Sequence, residues 1–212
     1  IECTNMSILF PIKRMISGDN FLQNFSLAQD TLLAELAGKS IAIVGNARSL
    51  SEQNYGMKID ACDVVVRMHA APLVAPESHG RKTTWLALGM PVNPSIISAR
   101  APTRLLWMAK KRKRVQHHIA SAKGFYLHPK SDWDIIAKDL SAPPTTGALI
   151  IDLAQRSNAA QINLFGFDFF ASLSLSGRRT AAQVPHDFAA EKQFVRNLME
   201  KDARVVLHGQ TN

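Results

Sequence analysis

Seven short, mostly apolar runs separated by stretches of helical spacing constrain the fold of this chain more than any other feature. The runs are bounded by Gly, Pro or polar residues, which is typical of strands that are covered on both faces of a sheet. Parallel neighbours require crossover connections, and the helical stretches between the runs supply them. The predicted strands are residues 39–44, 63–68, 85–88, 104–108, 123–127, 161–165 and 204–207.

Apolar residues at helical spacing predict four helices. With 212 residues and 46% hydrophobic content, the chain can bury one good core. The sequence therefore predicts an α/β fold, a single Rossmann-like domain over residues 1–212 with a mainly parallel sheet flanked by helices. Residues 1–38 are its N-terminal helical segment, and residues 39–212 are its α/β core. The predicted helices are residues 21–36, which end before Gly38 as a C-terminal cap, 132–140, 146–155 and 188–201.

The charge of the chain favours anionic partners. Counting 25 Lys and Arg against 17 Asp and Glu gives a net charge of +8, which suits a nucleotide, an acidic glycan, an anionic lipid or nucleic acid. The two cysteines, Cys3 and Cys62, are too few for a disulfide framework and indicate a reducing compartment. No stretch reaches the roughly 20 apolar residues of a membrane span. Because the chain opens on Ile1 rather than Met, earlier removal of an N-terminal anchor stays open.

Turns that contain glycine follow two of the predicted strands and precede one predicted helix. Gly45-Asn46 comes directly after the first strand, and Gly166-Phe-Asp168 comes directly after the sixth. Ligands of open α/β folds bind at these carboxyl ends, where glycine lets the backbone approach closely. Pro144-Thr-Thr-Gly147 opens a helix, and amides at a helix start attract anions, although a plain helix cap explains Thr145 equally well. The sequence thus predicts a nucleotide site made from segments far apart in the chain.

The stretch from Ile41 to Thr84 carries a much more specific pattern. A hydrophobic strand ends in Gly-Asn, an Asp precedes a second strand that ends in Arg-Met, and Ala-Pro and Gly-x-Lys-Thr-Thr follow. This pattern resembles the large sialylmotif of glycosyltransferase family 29, the animal-type sialyltransferases. The matching positions are Gly45, Asn46, Leu50, Gly56, Ile59, Asp60, Asp63, Arg67, Met68, Ala71, Pro72, Gly80, Lys82, Thr83 and Thr84.

Two shorter motifs of the same family are matched later in the chain and in the same order. Pro144-Thr-Thr-Gly147, with the helix and strand that follow it, resembles the small sialylmotif. His186, with Glu191 five residues later, resembles the very short sialylmotif. In the family this His is the catalytic base, a role that suits an imidazole. The resemblance therefore implies that His186 is the base.

Several positions depart from the family pattern. His69 stands where the family has Asn after Arg-Met, and an imidazole can also carry positive charge. Ala47 and Arg48 replace a typical Ser-Gly, which exchanges a hydroxyl for a guanidinium suited to phosphate. The family's cysteine pair would fall at Ile41 and Ala159, so the disulfide of the animal enzymes is absent, which indicates a bacterial or otherwise reducing setting. The family's His-Tyr-Tyr segment has no counterpart in the sequence.

Two segments, Gly45–Leu50 and Gly166–Phe170, also resemble the bacterial sialyltransferases of family 42. Both families use sugars activated by cytidine monophosphate (CMP). The resemblance implies an inverting, metal-independent transfer of sialic acid, or of the related keto sugar Kdo, from a CMP donor to a glycan or glycolipid acceptor. The donor is a substrate, and no cofactor is expected. The implied donor-binding residues are Gly45, Asn46, Ala47, Arg48, His69, Thr145, Thr146, Gly147, Phe167 and Asp168.

Alternatives accompany this interpretation. Asp168 serves equally well as a cap of the next turn. A non-catalytic nucleotide-binding α/β protein and a basic nucleic-acid-binding module are the other candidate functions, and the absence of an aromatic stacking motif disfavours nucleic acid as a partner. Residues 171–184 are interpreted as a surface loop, with a lid over the donor as the alternative. The expected location is the cytoplasm of a bacterium, peripheral to its inner membrane, or the Golgi lumen if an anchor preceded Ile1.

The strongest charge cluster precedes His117 and His118. A solvated helix face is its plain interpretation, and its functional interpretations are docking to an anionic membrane surface and binding of an acidic glycan. The cluster consists of Lys110, Lys111, Arg112, Lys113 and Arg114.

Overall fold

The fold is one sheet of seven parallel strands. It is described by a computed structural model for residues 2–169 and 185–209, with side chains described from residue 9 onward. The strands are β1 (Ser40–Val44), β2 (Val64–Met68), β3 (Trp85–Leu88), β4 (Arg104–Trp107), β5 (Phe125–Leu127), β6 (Gln161–Phe165) and β7 (Val205–His208). They pair in the order β5-β4-β3-β2-β1-β6-β7, and every one of these pairs is parallel.

Helices cover both faces of the sheet. The described helices are α1 (Glu2–Gln23), α2 (Gln29–Ala34), α3 (Gly56–Asp60), α4 (Pro76–His79), α5 (Pro94–Arg100), α6 (His117–Ala120), α7 (Lys130–Leu140), α8 (Thr146–Gln155) and α9 (Phe188–Lys201), with 3-10 turns at Arg48–Glu52 and Arg112–Arg114. Within the described residues, none of these helices has the length and apolar character needed to cross a membrane. The predicted α/β fold with a parallel sheet is confirmed.

The strand order reverses between β1 and β6. Strands β1 to β5 follow one another outward on one side, whereas β6 returns to pair with β1 on the other side. This reversal is the switch point at which open α/β sheets bind ligands, because the connections leave the carboxyl ends of the two strands in opposite directions. The turns after β1 and β6 are the two glycine-containing turns of the sequence.

The predicted strands are all present, with ends within two residues of those expected. Helices α8 and α9 have the predicted bounds, and α7 begins two residues earlier than predicted. The helix predicted over 21–36 is wrong, since α1 ends at Gln23 and α2 occupies only Gln29–Ala34.

The break in that helix has a clear cause in the packing. The rings of Phe21 and Phe25 pack against Phe10, on the face of the sheet that carries Trp107. Leu32 packs on the opposite face. Residues 24–28 therefore pass around the β5 edge, where the Leu27 amide donates to the Phe125 carbonyl at 2.8 Å and the Ser26 hydroxyl accepts from the Leu127 amide at 2.9 Å. A single helix could not place these residues on both faces.

The interpretation of the basic cluster as a solvated face is wrong for Arg112 and agrees with the exposure of the other four residues. Arg112 is buried, pairs with Asp19 at 3.0 Å and donates to the Ala109 carbonyl at 2.7 Å. Lys110 pairs with Asp134 at 2.5 Å. The cluster therefore contains one buried residue, Arg112, and four exposed residues, of which Lys110 is held by its ion pair with Asp134.

Candidate active site

The turns after β1 and β6 touch at the switch point. The Gly45 amide donates to the Phe165 carbonyl at 2.7 Å, and the Ala47 amide donates to the Gly166 carbonyl at 3.2 Å. A Cβ atom on Gly45 would lie only 2.2 Å from the Gly166 carbonyl oxygen. Glycine is thus required at position 45, because backbone from two strands meets there, and the turn presents Asn46 at the mouth of the crevice.

Phe167 connects this crevice to the start of α8. A Cβ atom on Gly45 would approach the Phe167 ring to 3.2 Å, and one on Gly147 would approach it to 2.8 Å. The ring therefore lies against both glycines. Packing of this ring brings the first turn of α8, about a hundred residues away in sequence, to the end of β1. Amides at positions 146 and 147 have no partner within the helix by geometry, so this helix start is suited to an anion.

The carboxyl ends of β2 and β3 lie at the same end of the sheet as the turns after β1 and β6. Gly89 follows β3, and a Cβ atom there would lie 2.7 Å from the Thr146 hydroxyl and 3.1 Å from the His69 ring. His69, which follows β2, is thus on the same side of the edge as Thr146. Gly89 was missed by the sequence analysis, although it follows its strand as Gly45 follows β1.

His69 is held as a neutral donor. Its Nδ1 accepts a hydrogen bond from the Gly89 amide at 3.3 Å, which leaves Nε2 as the protonated nitrogen. Burial lowers the pKa of His69 to about 4. The neutral side chain offers an N–H as the family's Asn would, and positive charge on this imidazole beside a phosphate stays a prediction.

The backbone of His69 explains why His is tolerated there. Its φ is 53°, in the left-handed region that few non-glycine residues adopt. Asn, Asp and His are enriched in that region, so His is a natural replacement for the family's Asn. The Arg100 guanidinium donates to the His69 carbonyl at 3.2 Å and also to the Ala71 carbonyl, which supports the turn.

Glu191 fixes the turn before α8. Its two carboxylate oxygens accept from the Thr145 amide at 2.7 Å and from the Thr145 hydroxyl at 2.8 Å. The same hydroxyl accepts from the Ala148 amide at 3.1 Å, so Thr145 is the N-cap of α8. The cap interpretation of Thr145 is confirmed, and Thr146 and Gly147 remain to face a ligand.

Burial raises the pKa of Glu191 to about 7, against the opposing effect of its hydrogen bonds with Thr145. The pKa of Glu191 in the folded protein lies above its value of 4.5 in the unfolded chain. The contribution of this carboxyl to the free energy of unfolding is therefore fully present at low pH, and it is lost as the pH rises through about 7. The difference corresponds to roughly 3 kcal/mol.

We expect Glu191→Gln to remove this pH dependence. The free energy of unfolding is measured with urea at pH 5 and at pH 8 for both proteins. Between these pH values it should fall by about 2 to 3 kcal/mol more in the wild type than in the variant. The pH slope is the readout, so a uniform loss of stability in the variant does not obscure it. Equal slopes in the two proteins would show that Glu191 does not titrate in this range.

His186 lies beside the same turn. Its Nδ1 is 2.7 Å from the Pro143 carbonyl oxygen. A carbonyl only accepts, so Nδ1 carries the proton and Nε2 keeps its lone pair. His186 and Glu191, at the two ends of the very short motif, thus contact two residues of one turn, Pro143 and Thr145. Asp187 between them is the N-cap of α9, with its side chain accepting from the Ala190 amide at 2.9 Å.

The remaining predicted donor residues lie around the turn after β1. Asn46 is half-buried, Ala47 is buried, and Arg48 is exposed at the start of the 3-10 turn. With this side chain buried, the predicted donor contact at Ala47 would come from its backbone. Asp168 accepts a hydrogen bond from the Ser49 hydroxyl at 3.1 Å. All four residues are thus near the crevice, and Asp168 joins the turn after β6 to the turn after β1.

Most other positions of the large motif form a framework rather than a site. The Asp60 carboxylate accepts from the Arg81 amide at 2.8 Å and the Lys82 amide at 2.9 Å, and a Cβ atom on Gly80 would lie 2.3 Å from it. Arg67 is buried and donates to the Lys82 carbonyl at 2.8 Å and to the His79 carbonyl at 2.6 Å. These contacts fix the connection from β2 to β3 and explain the spacing of the motif.

Apolar packing replaces the disulfide of the animal enzymes. Ile41 and Ala159 are both buried in the same core cluster, and Cys62 is a buried free thiol. In the described parts of the chain, no group of three or more His, Cys, Asp or Glu side chains is placed to hold a metal ion. Phe170 and the predicted loop or lid over 171–184 lie outside the described residues.

Solved structures of other proteins share this fold. A mammalian sialyltransferase, solved with Gal-beta-1-3GalNAc-ortho-nitrophenol, is 18% identical, with 100% of this chain and 87% of that chain covered and a TM-score of 0.56. The sialyltransferase CstII from Campylobacter jejuni, solved with cytidine-5'-monophosphate, is 15% identical, with 81% and 79% covered and a TM-score of 0.50. At these identities the likeness is one of fold. A comparison with curated proteins gives no match.

The family assignment comes from the sequence pattern itself. The family model "Glycosyltransferase family 29 (sialyltransferase)" matches residues 19–125, half of the chain. This range contains the whole of the large motif, from Ile41 to Thr84. The predicted resemblance is confirmed, and the chain belongs to glycosyltransferase family 29, the sialyltransferases.

Proposed function

We propose that this protein is an inverting, metal-independent glycosyltransferase that moves sialic acid or a related keto sugar from its CMP-activated donor to a glycan or glycolipid acceptor. One observation carries the proposal. His186 and Glu191 are both bonded to the turn Pro143–Thr145 that starts α8, and α8 in turn reaches the β1–β6 switch point through Phe167. The three motifs therefore converge on one edge of the sheet.

The donor's single phosphate is assigned to the start of α8. The Thr146 hydroxyl, the amides of Thr146 and Gly147 and the His69 Nε2–H are the donors that face this position, and the helix dipole favours negative charge there. Asn46 and Arg48 line the approach from β1. The CMP found in the Campylobacter jejuni structure, which has a similar fold, supports a CMP donor for this chain.

His186 is the proposed base. The acceptor hydroxyl attacks the anomeric carbon, the bond from that carbon to the phosphate oxygen breaks, and CMP leaves with the electron pair. The hydroxyl proton passes to Nε2 of His186, while Nδ1–H remains bonded to the Pro143 carbonyl and stabilises the charged ring. Charge that develops on the phosphate meets amides that are already in place. Because these groups can neutralise a single phosphate, the proposal needs no metal ion.

The test of the donor site is a calorimetric titration with CMP, UMP and AMP, each in EDTA and in Mg²⁺. We expect CMP to bind more tightly than the other nucleotides and equally well in both buffers. Thr146→Val should weaken CMP binding roughly tenfold, since one hydrogen bond to a charged oxygen is lost. Thr31→Val, on the exposed surface of α2, is the control and should bind as the wild type does. Equal binding of all three nucleotides, or binding only with Mg²⁺, would overturn the proposal.

A peripheral position on an anionic membrane is the remaining part of the proposal. It is supported by exposed Lys111, Lys113 and Arg114, since each basic residue near an anionic surface contributes about 1 kcal/mol. Sedimentation with anionic vesicles at low and high salt tests it. Salt-sensitive binding supports this location, and the absence of binding at low salt removes it.

A further inference from the structure

A wide groove lies between α1 and the chain that follows β4. Its volume is about 720 Å³, within the range of small-molecule sites. We call it the basic groove, and its charged and polar lining consists of Arg14, Lys113, Arg114, Gln116, His117 and His118, with Pro91 at one end. Within the described residues, no Asp or Glu lines it.

The lining of the basic groove includes two side chains, Arg14 and His117, whose inner nitrogen atoms are out of reach of solvent. The Arg14 Nε and the His117 Nε2 are buried, and neither has a hydrogen-bond partner among the described residues. Both side chains are held in place. The His117 ring meets the Phe10 ring edge-on at 5.2 Å, and the Arg14 guanidinium lies 5.9 Å from the same ring while it donates to the Val115 carbonyl. Arg14 and His117 therefore shape the groove, and the exposed Lys113 and Arg114 are the cations of its lining that a ligand can contact.

The groove opens next to the candidate active site. Pro91 is two residues beyond Gly89, which touches Thr146 and His69, and Cα atoms two residues apart are separated by at most about 7 Å. The His118 Nε2 lies 3.3 Å from the Val92 carbonyl, which ties the groove wall to this same connection after β3. Both sites are therefore on the carboxyl edge of the sheet, and one extended ligand can reach both.

We propose that the basic groove binds a phosphate or carboxylate group of the acceptor, so that the preferred acceptor is an acidic glycan. The inference rests on the proposed transferase function and names its acceptor class. The exposed cations Lys113 and Arg114 attract the group, and a planar guanidinium binds either oxyanion through paired hydrogen bonds. Among the residues that the structure describes, Lys113 and Arg114 are in no ion pair like those that hold Lys110 and Arg112, so both can bind an anionic group.

The experiment compares matched acceptors in two measurements. One oligosaccharide is used in a neutral form, a form with a phosphate group and a form with a uronic acid. For the wild type we expect a KM for the acidic forms roughly tenfold lower than for the neutral form. The double variant Lys113→Ala/Arg114→Ala should lose this preference while keeping the wild-type KM for the neutral acceptor and the wild-type affinity for CMP. Lys111→Ala, in the same cluster but outside the groove lining, is the matched control and should keep the preference.

Direct binding of the same three oligosaccharides, measured by calorimetry without a donor, separates this inference from the proposed function. Tighter binding of the acidic forms that the double variant abolishes supports the groove even if no transfer is observed. The two acidic forms distinguish phosphate from carboxylate as the preferred group. Equal binding of neutral and acidic forms by the wild type, or an unchanged preference in the double variant, overturns the inference.

Discussion

Replacement of His186 by Ala is expected to lower kcat by about a hundred- to ten-thousand-fold, the usual contribution of a general base. The affinity for CMP should be unchanged, because the donor is assigned to α8 and the turn after β1 rather than to His186. The hydrogen bond of its Nδ1 to the Pro143 carbonyl is the contact that the variant loses. One such bond contributes about 1 kcal/mol, so the fold should persist.

His186→Asn separates the role of base from a role in positioning. The Asn amide can donate to the Pro143 carbonyl in place of Nδ1, but an amide is not basic enough to take up a proton near neutral pH. If His186 is the base, both variants should be impaired in kcat to a similar degree. Activity restored by Asn would instead show that the residue only positions the turn before α8. Steady-state kinetics with a saturating donor, together with CMP titration of each variant, makes the distinction.

Gly45→Ala is expected to damage both the fold and the donor site. The new Cβ atom would lie 2.2 Å from the Gly166 oxygen and 2.9 Å from the Gly166 carbonyl carbon, and both atoms are backbone that cannot rotate away. The turns after β1 and β6 must then separate, which strains the two hydrogen bonds that join them. We expect the free energy of unfolding to fall by about 3 kcal/mol and CMP binding to be lost.

Gly89→Ala provides the matched control for this substitution. Its Cβ atom would meet the Thr146 hydroxyl at 2.7 Å and the His69 ring at 3.1 Å, and both belong to side chains, which can shift where the Gly166 backbone cannot. The loss of stability should therefore stay below about 1 kcal/mol, while CMP binding weakens because the hydroxyl is displaced. Urea unfolding and CMP titration of both variants are the measurements. A Gly45→Ala protein with wild-type stability and CMP affinity would contradict the described contact at the switch point.

The sheet and the segments of the site could be predicted from sequence because they depend on local patterns. Apolar runs bounded by polar residues gave the strands, and glycine after β1 and β6 indicated the edge that binds ligands. The break over residues 24–28 could not be predicted in this way. Phe25 and Leu32 fit one helical stripe, and only the position of the β5 edge shows that they pack on opposite faces.

The roles of charged and polar residues were the least accessible to sequence reasoning. Thr145 looked like a phosphate ligand or a cap, and its use as a cap follows from Glu191, 46 residues away in sequence. His69 looked like a source of positive charge, but burial keeps it neutral. Arg112 looked like a surface residue, and its partner Asp19 lies 93 residues away. In each case the surrounding fold decides the property: the role of Thr145, the protonation state of His69 and the exposure of Arg112.

The proposed function requires that the three converging motifs form one catalytic site for a CMP-activated sugar. The most direct measurement is transfer from CMP-sialic acid and from CMP-Kdo to neutral and acidic oligosaccharides, with product mass and released CMP recorded together. We predict that the wild type releases one CMP for each sugar transferred with at least one of the two donors, and that His186→Ala does so at a small fraction of that rate. Tight CMP binding without transfer or donor hydrolysis by the wild type would contradict the claim and identify the protein as a non-catalytic nucleotide binder.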